Sequence, residues 1–159
     1  MSTLYVDSLQ PNLGSGVHIS GHVLQMVSNK GAGGSGTNST GAWTSLSSVV
    51  TITPKFATSK IVVQFFATAY AANGAVLFTI GRDGVPIGNG TGGSIAQMKL
   101  SGNNNPFYMP SSLSTYVSPI GSTASTEFRV LVEPQSGATG YWPAGAVDQW
   151  TAHAWEIAQ

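Results

Sequence analysis

A chain of 159 residues, 42% of them hydrophobic, fits a single folded domain, at a size where folding buries roughly 68–70% of the unfolded surface. It has no cysteine, which excludes disulfides and thiolate metal sites; its six basic and six acidic residues cancel, leaving no basic patch for nucleic-acid phosphates. Only 8% of residues are charged, against about 25% in ordinary domains, so the polar surface is built from Ser, Thr, Asn and Gln, and net charge near zero favours association with further copies.

In chain order, Met1 to Asp7 lacks the basic segment and apolar run of a secretory signal, and no stretch of 18 apolar residues is present to insert into a membrane. Residues 1–25 read as an extended N-terminal arm. Leu4 and Val6 alternate with polar neighbours, Pro11-Asn12 and Gly14-Ser15-Gly16 interrupt, and Val17 to His22 alternates again. Such short pieces bury no face alone and are expected to pair with other chains or to lie on the main domain, residues 26–159.

A first longer strand begins at Val23 and runs into the glycine- and serine-rich stretch 31–41, expected as a mobile loop. Val49 to Thr53 forms a strand that stops at Pro54. Ile61 to Tyr70 carries the strongest pattern: Ile61, Val63, Phe65, Ala67 and Ala69 share one face, and Val62 and Phe66 on the other suggest a central strand covered on both sides. Asn73-Gly74 is a hairpin signal leading into Ala75 to Ile80. Asp83-Gly84 is a second turn before Val85 to Ile87, an edge piece because of Pro86.

Ser94 to Leu100 is expected as a strand and 101–110 as a long loop holding Phe107 and Tyr108. Ser112 to Ser118 alternates; Thr126, Phe128, Val130 and Val132 alternate with Glu127, Arg129 and Glu133 in a half-buried strand. Residues 134–148 form a second loop with Tyr141 and Trp142. The last strand, Gln149 to Ile157, has Trp150, Ala152 and Ala154 on one side and Thr151, His153, Trp155 and Ile157 on the other. Roughly eight strands without an amphipathic helix predict an all-β chain, an antiparallel β-sandwich or jelly-roll-like domain.

No constellation for catalysis stands out. His18 and His22, on one face of an extended stretch, lie about 13 Å apart, too far to chelate one ion within a chain; a three-fold axis could gather one from each of three copies, and the plainer alternative is two polar arm positions. His153 reads as a packed strand residue. The carboxylates Asp7, Asp83, Glu127, Glu133, Asp148 and Glu156 are scattered. Only Asp148 with Glu156 stays open as a glycosidase pair, which needs carboxyls about 5–5.5 or 6.5–9.5 Å apart. The glycine runs hold no phosphate loop. The chain is therefore expected to be no enzyme, without cofactor or metal. The sequons Asn38-Ser39-Thr40 and Asn89-Gly90-Thr91 read as chance matches without a signal peptide.

The binding signal is aromatic. Phe107, Tyr108, Tyr141 and Trp142 are candidate ligand-contact residues, since exposed loop aromatics stack on sugar rings while neighbouring amides bond the hydroxyls. Alternatively these rings fold back over the sandwich ends or a subunit interface. Trp43 reads as a packing anchor.

Three segments are similar to a known family. Ser2-Thr3-Leu4-Tyr5-Val6-Asp7-Ser8-Leu9-Gln10 with Gly14 to Gln25, then Thr51-Ile52-Thr53-Pro54-Lys55 with Thr58-Ser59-Lys60-Ile61, and the ending Ala152-His153-Ala154-Trp155-Glu156-Ile157 resemble the matching parts of bacteriophage tail-fibre proteins, notably of aquatic, cyanophage-like phages. The resemblance implies a virion protein, a homotrimer fixed to other tail or capsid proteins by its arm. Its loops would contact the host surface, including surface glycan. The shaft is short for such a fibre, which leaves a head-fibre or capsid-decoration role open, and a free carbohydrate-binding module is the alternative outside the virion.

Overall fold

The computed structural model describes residues 20–37, 41–87, 97–102, 107–135, 137–145 and 148–159. Among these residues the chain is all-β, with eleven strands in two antiparallel sheets packed as a sandwich. The first sheet holds β1 (Val23–Ala32), β2 (Ser35–Thr37), β4 (Lys60–Ala72), β8 (Phe107–Val117), β10 (Thr139–Trp142) and β11 (Gln149–Ile157). The second holds β3 (Thr44–Ile52), β5 (Gly74–Arg82), β6 (Val85–Pro86), β7 (Gln97–Gly102) and β9 (Thr126–Pro134).

β4 organises the first sheet. One of its edges pairs with β8 from Ile61 to Ala71. The other pairs with β11 from Lys60 to Phe66 and with β10 from Tyr70 to Ala72. β1 continues the sheet beyond β11, and β2 continues it beyond β10. The Asn73-Gly74 turn then carries the chain across to the second sheet, with φ of 58° and 142° at its two residues, a backbone that asparagine and glycine tolerate.

Period-two alternation puts the apolar residues between the sheets. Ile61, Val63, Phe65, Ala152 and Ala154 face Val76, Phe78, Ile80, Phe128, Val130 and Val132, all fully buried. Trp142 and Trp150 close the same core. Gly140 shows how tight it is, because a Cβ there would lie 2.4 Å from Val76 Cγ1 and 3.0 Å from Val132 Cγ2. Gly140→Ala is expected to lower stability by about 2 kcal/mol through overpacking, read as a shift of the urea midpoint with an unchanged slope.

One side of the sandwich is laced by side-chain amides of β1. Gln25 Nε2 donates to Thr53 O at 2.7 Å and Asn29 Nδ2 to Val49 O at 2.9 Å, so carbonyls along and just past β3, an edge strand, find donors. β8 forms the opposite edge of the first sheet and tolerates Pro110 because an edge strand needs no donor on its free side.

Several expectations change. β1 begins at Val23 and runs to Ala32, and β2 follows, so most of 31–37 is strand. Glycine is required there by close approach: Trp150 lies against Gly31 and the Tyr141 ring against Gly36. The expected loop 101–110 ends early, because β8 starts at Phe107, and Tyr141 and Trp142 belong to β10. The expected strand 94–100 becomes β7 over Gln97–Gly102. The arm up to residue 19, with His18, and both sequons lie outside the described residues.

Candidate functional site: the outer face of the first sheet

The residues of β4 that do not enter the core point away from it, and the pairing registers bring their neighbours onto the same outer face. Met26, Trp155, Val62 and Tyr116 form one row across β1, β11, β4 and β8. Ser28, His153, Gln64 and Ser114 form the next, followed by Lys30, Thr151, Phe66 and Ser112. Farther along, Tyr141, Tyr70 and Tyr108 form a row across β10, β4 and β8. β4 is central, as its pattern suggests, but this side is open: Phe66 is 41% exposed, Met26 57%, Tyr116 45% and Tyr108 58%.

Ring contacts run along the face. His153 lies 6.1 Å from Phe66 and 5.5 Å from Trp155, and its Nδ1 shares a 2.9 Å hydrogen bond with the Ser28 hydroxyl. Tyr70 meets Tyr108 at 5.0 Å and Tyr141 at 5.5 Å, edge to face in both cases. Lys60 Nζ sits 4.2 Å over the Tyr116 ring. The charged group in these rows is Lys30 on the edge strand, with Lys60 next to them at the start of β4, and no carboxylate appears in them.

A groove crosses this face. β4 is paired to β11 as far as Phe66 and to β10 from Tyr70 onward, and the handover between them opens the sheet. The opening measures about 540 Å³ and is lined by Phe66, Ala67, Thr68, Pro110, Ser111, Ser112, Gln149, Trp150 and Thr151.

The aromatic candidates divide. Tyr108 and Tyr141 come together on the outer face at one end of the first sheet, both against Tyr70, while Phe107, also exposed at that end, sits opposite Ala71 on the other face of β8. Trp142 does not join them; it is fully buried, 5.8 Å from Phe78. Strand alternation explains the split, since Tyr141 and Trp142 are neighbours in β10 and must face opposite ways. Phe66, Tyr70, Tyr116 and Trp155 were not singled out from the sequence as contact residues. The signal was the second face of the Ile61–Tyr70 pattern.

Asp148 and Glu156, the carboxylates left open as a pair, do not come together. Glu156 is fully buried near the arm end of β11. Its oxygens accept from Lys55 N at 2.8 and 3.0 Å, from Phe56 N at 3.1 Å and from Gln25 Nε2 at 2.6 Å. Burial pushes its pKa up, but these donors, with the adjoining Ser59 hydroxyl, outweigh burial and hold it below the ordinary carboxylate value. Asp148 sits eight residues away along an extended chain, about 26 Å, well beyond the separation of a glycosidase pair. On the second sheet Glu127 binds Arg129 through two bonds, and this hydrogen bonding raises the Arg129 pKa. Among the described residues no three His, Asp or Glu gather where a metal would need them. His22 is exposed, and its carbonyl accepts from Ala158 N at 2.9 Å.

No protein-family model matches the chain, and no curated protein matches it significantly.

Proposed function

We propose that this chain is a non-enzymatic structural protein of a phage particle, a short fibre that assembles as a homotrimer and presents one end for attachment to a host surface. The observation that carries the reading is the outer face of the first sheet. An open sheet face with Met, Phe, Tyr and Trp in register and without carboxylates has the composition of an interface core, which is rich in aromatics and Met and poor in Lys, Glu and Asp. Where all four strands lie side by side, from Ile61 to Phe66 of β4, the face covers about 19 Å by 20 Å, or roughly 380 Å² in projection, about half of the ~800 Å² per partner of a standard stable interface.

Polarity along the sheet supports attachment. The chain enters at Val23, which pairs with Ile157 at the end where β4 starts. Phe107, Tyr108 and Tyr141 lie at the other end. An arm that binds virion partners at one end and a recognition surface at the other is the layout of a fibre. We assign self-association to the rows nearest the arm, Met26, Trp155, Val62 and Tyr116. Three as the copy number comes from the family resemblance, and closed symmetry also protects the β8 edge from random pairing.

Light scattering on the full-length chain tests this. A native mass near three times 16.4 kDa, falling in a chain that starts at Val23, is the expected result. A monomer in both would refute the assembly and leave a free carbohydrate-binding module.

A further inference from the structure

We propose that the groove where β4 passes from β11 to β10 binds a neutral saccharide. This deepens the attachment reading and rests on it, because it names the chemistry that the far end of the sheet would recognise.

Three independent features converge. The first is an aromatic row beside the groove, Tyr141, Tyr70 and Tyr108, two residues along β4 from the lining residue Thr68. The outer rings stand at 70° and 65° to the central one, so the row offers both ring faces and hydroxyl-bearing edges. A pyranose has the matching pattern, an apolar C–H face bounded by hydroxyls, and aromatic side chains with a polar tip suit such a half-wet contact.

The second feature is the lining. Thr68, Ser112, Thr151 and Gln149 supply hydroxyls and an amide beside Phe66 and Pro110, with no charged side chain among them. The nearest charge is Lys30, on β1 beyond Thr151 and outside the lining, so an anionic ligand has no counter-charge within the groove, and a purely apolar one would leave these polar groups unpaired. A polyol satisfies them. An opening of about 540 Å³ falls in the span of small-ligand sites, roughly 300–1,000 Å³.

The third feature is backbone. Neither register on that edge of β4 includes Ala67, Thr68 or Ala69, and Ala67 and Thr68 line the groove. Among the described residues their backbone has no ladder partner on that side. Successive residues of an antiparallel strand turn their N–H and C=O to alternate edges, so the groups of this stretch that point away from β8 are the ones turned toward the groove, held in place by the β8 pairing on either side.

The test uses the full-length chain with neutral hexasaccharides of glucose, mannose and galactose as probes, and an oligogalacturonide as the charged counterpart, read by saturation-transfer NMR and titration. At least one neutral probe is expected to bind and the charged one not. Tyr108→Ala and Gln149→Leu, both at exposed side chains, are expected to weaken binding by about tenfold with native mass and melting temperature unchanged. No transfer from any neutral probe, or unchanged binding in both variants, overturns the proposal. A trimer that binds none of the three refutes the site alone, whereas a monomer that binds refutes the assembly and leaves the site standing.

Discussion

Glu156→Ala is expected to cost about 3 kcal/mol or more at neutral pH, because three protein donors lose their acceptor inside the fold and each unsatisfied buried group costs about 1–3 kcal/mol. The donors are Lys55 N, Phe56 N and Gln25 Nε2. They belong to β1 and to the segment after β3, so the carboxylate ties both to the end of β11 where the chain enters the sandwich. Glu156→Gln is expected to lose less. Its carbonyl oxygen still accepts from the two backbone N–H groups, while its amide meets Gln25 donor to donor, and Gln25 must turn over and release Thr53 O.

The pH dependence follows from the direction of the shift. A carboxylate whose folded pKa is lowered binds fewer protons in the folded state, so it contributes stability above the ordinary value of 4.5. That contribution fades as the pH drops below 4.5 and is gone once it passes the lowered folded value. Urea unfolding of wild type and Glu156→Gln at neutral and acidic pH reads this directly. The wild type is expected to lose its advantage over the variant on acidification; a difference that stays constant would contradict the assignment.

Trp142→Ala is the second large effect, expected to cost about 3–5 kcal/mol. The ring is fully buried against Phe78 in the core, and its Nε1 has no hydrogen-bond partner among the described residues. Trp142→Phe is therefore expected to keep most of the stability, since it removes an unpaired donor along with part of the volume. Tyr141→Ala, one residue away, removes a ring 38% exposed on the outer face and is expected to leave the core intact. Denaturant melts of the three variants check the order. If Trp142→Ala melted like wild type, the ring would not be the core element described.

Much of the fold was legible. Alternation in Ile61–Tyr70 and in Gln149–Ile157 sorted the residues of β4 and β11 onto their two faces, because a half-buried strand writes its period into the sequence, but the expected cover on both sides of β4 fails, since Phe66 on its outer face is exposed. Asn73-Gly74 and Asp83-Gly84 marked turns for a stereochemical reason, and Asn73 and Asp83 both have positive φ. Phe107 and Tyr108 were harder. Pro106, Pro110 and the serines nearby look like loop chemistry, yet an edge strand facing solvent accepts both.

Glu156 was half legible. Its parity placed it on the side of Trp150 and Ala154, but its partners are backbone groups of a loop, which no side-chain pattern announces. The groove was not legible, since it arises where β4 changes partner from β11 to β10, and strand order is not written locally. The outer rows depend in the same way on register between β1, β4, β8 and β11, which only the folded chain brings together.

The most direct test of the central claim, that the arm-proximal rows of the first sheet pack against further copies, is the native mass of full-length Trp155→Ser and Tyr116→Ser, singly and combined. Folded chains that drop from three times 16.4 kDa toward one are the predicted result, with the melting curve showing the sandwich retained. Variants that keep the full trimeric mass would contradict it and move assembly away from this face.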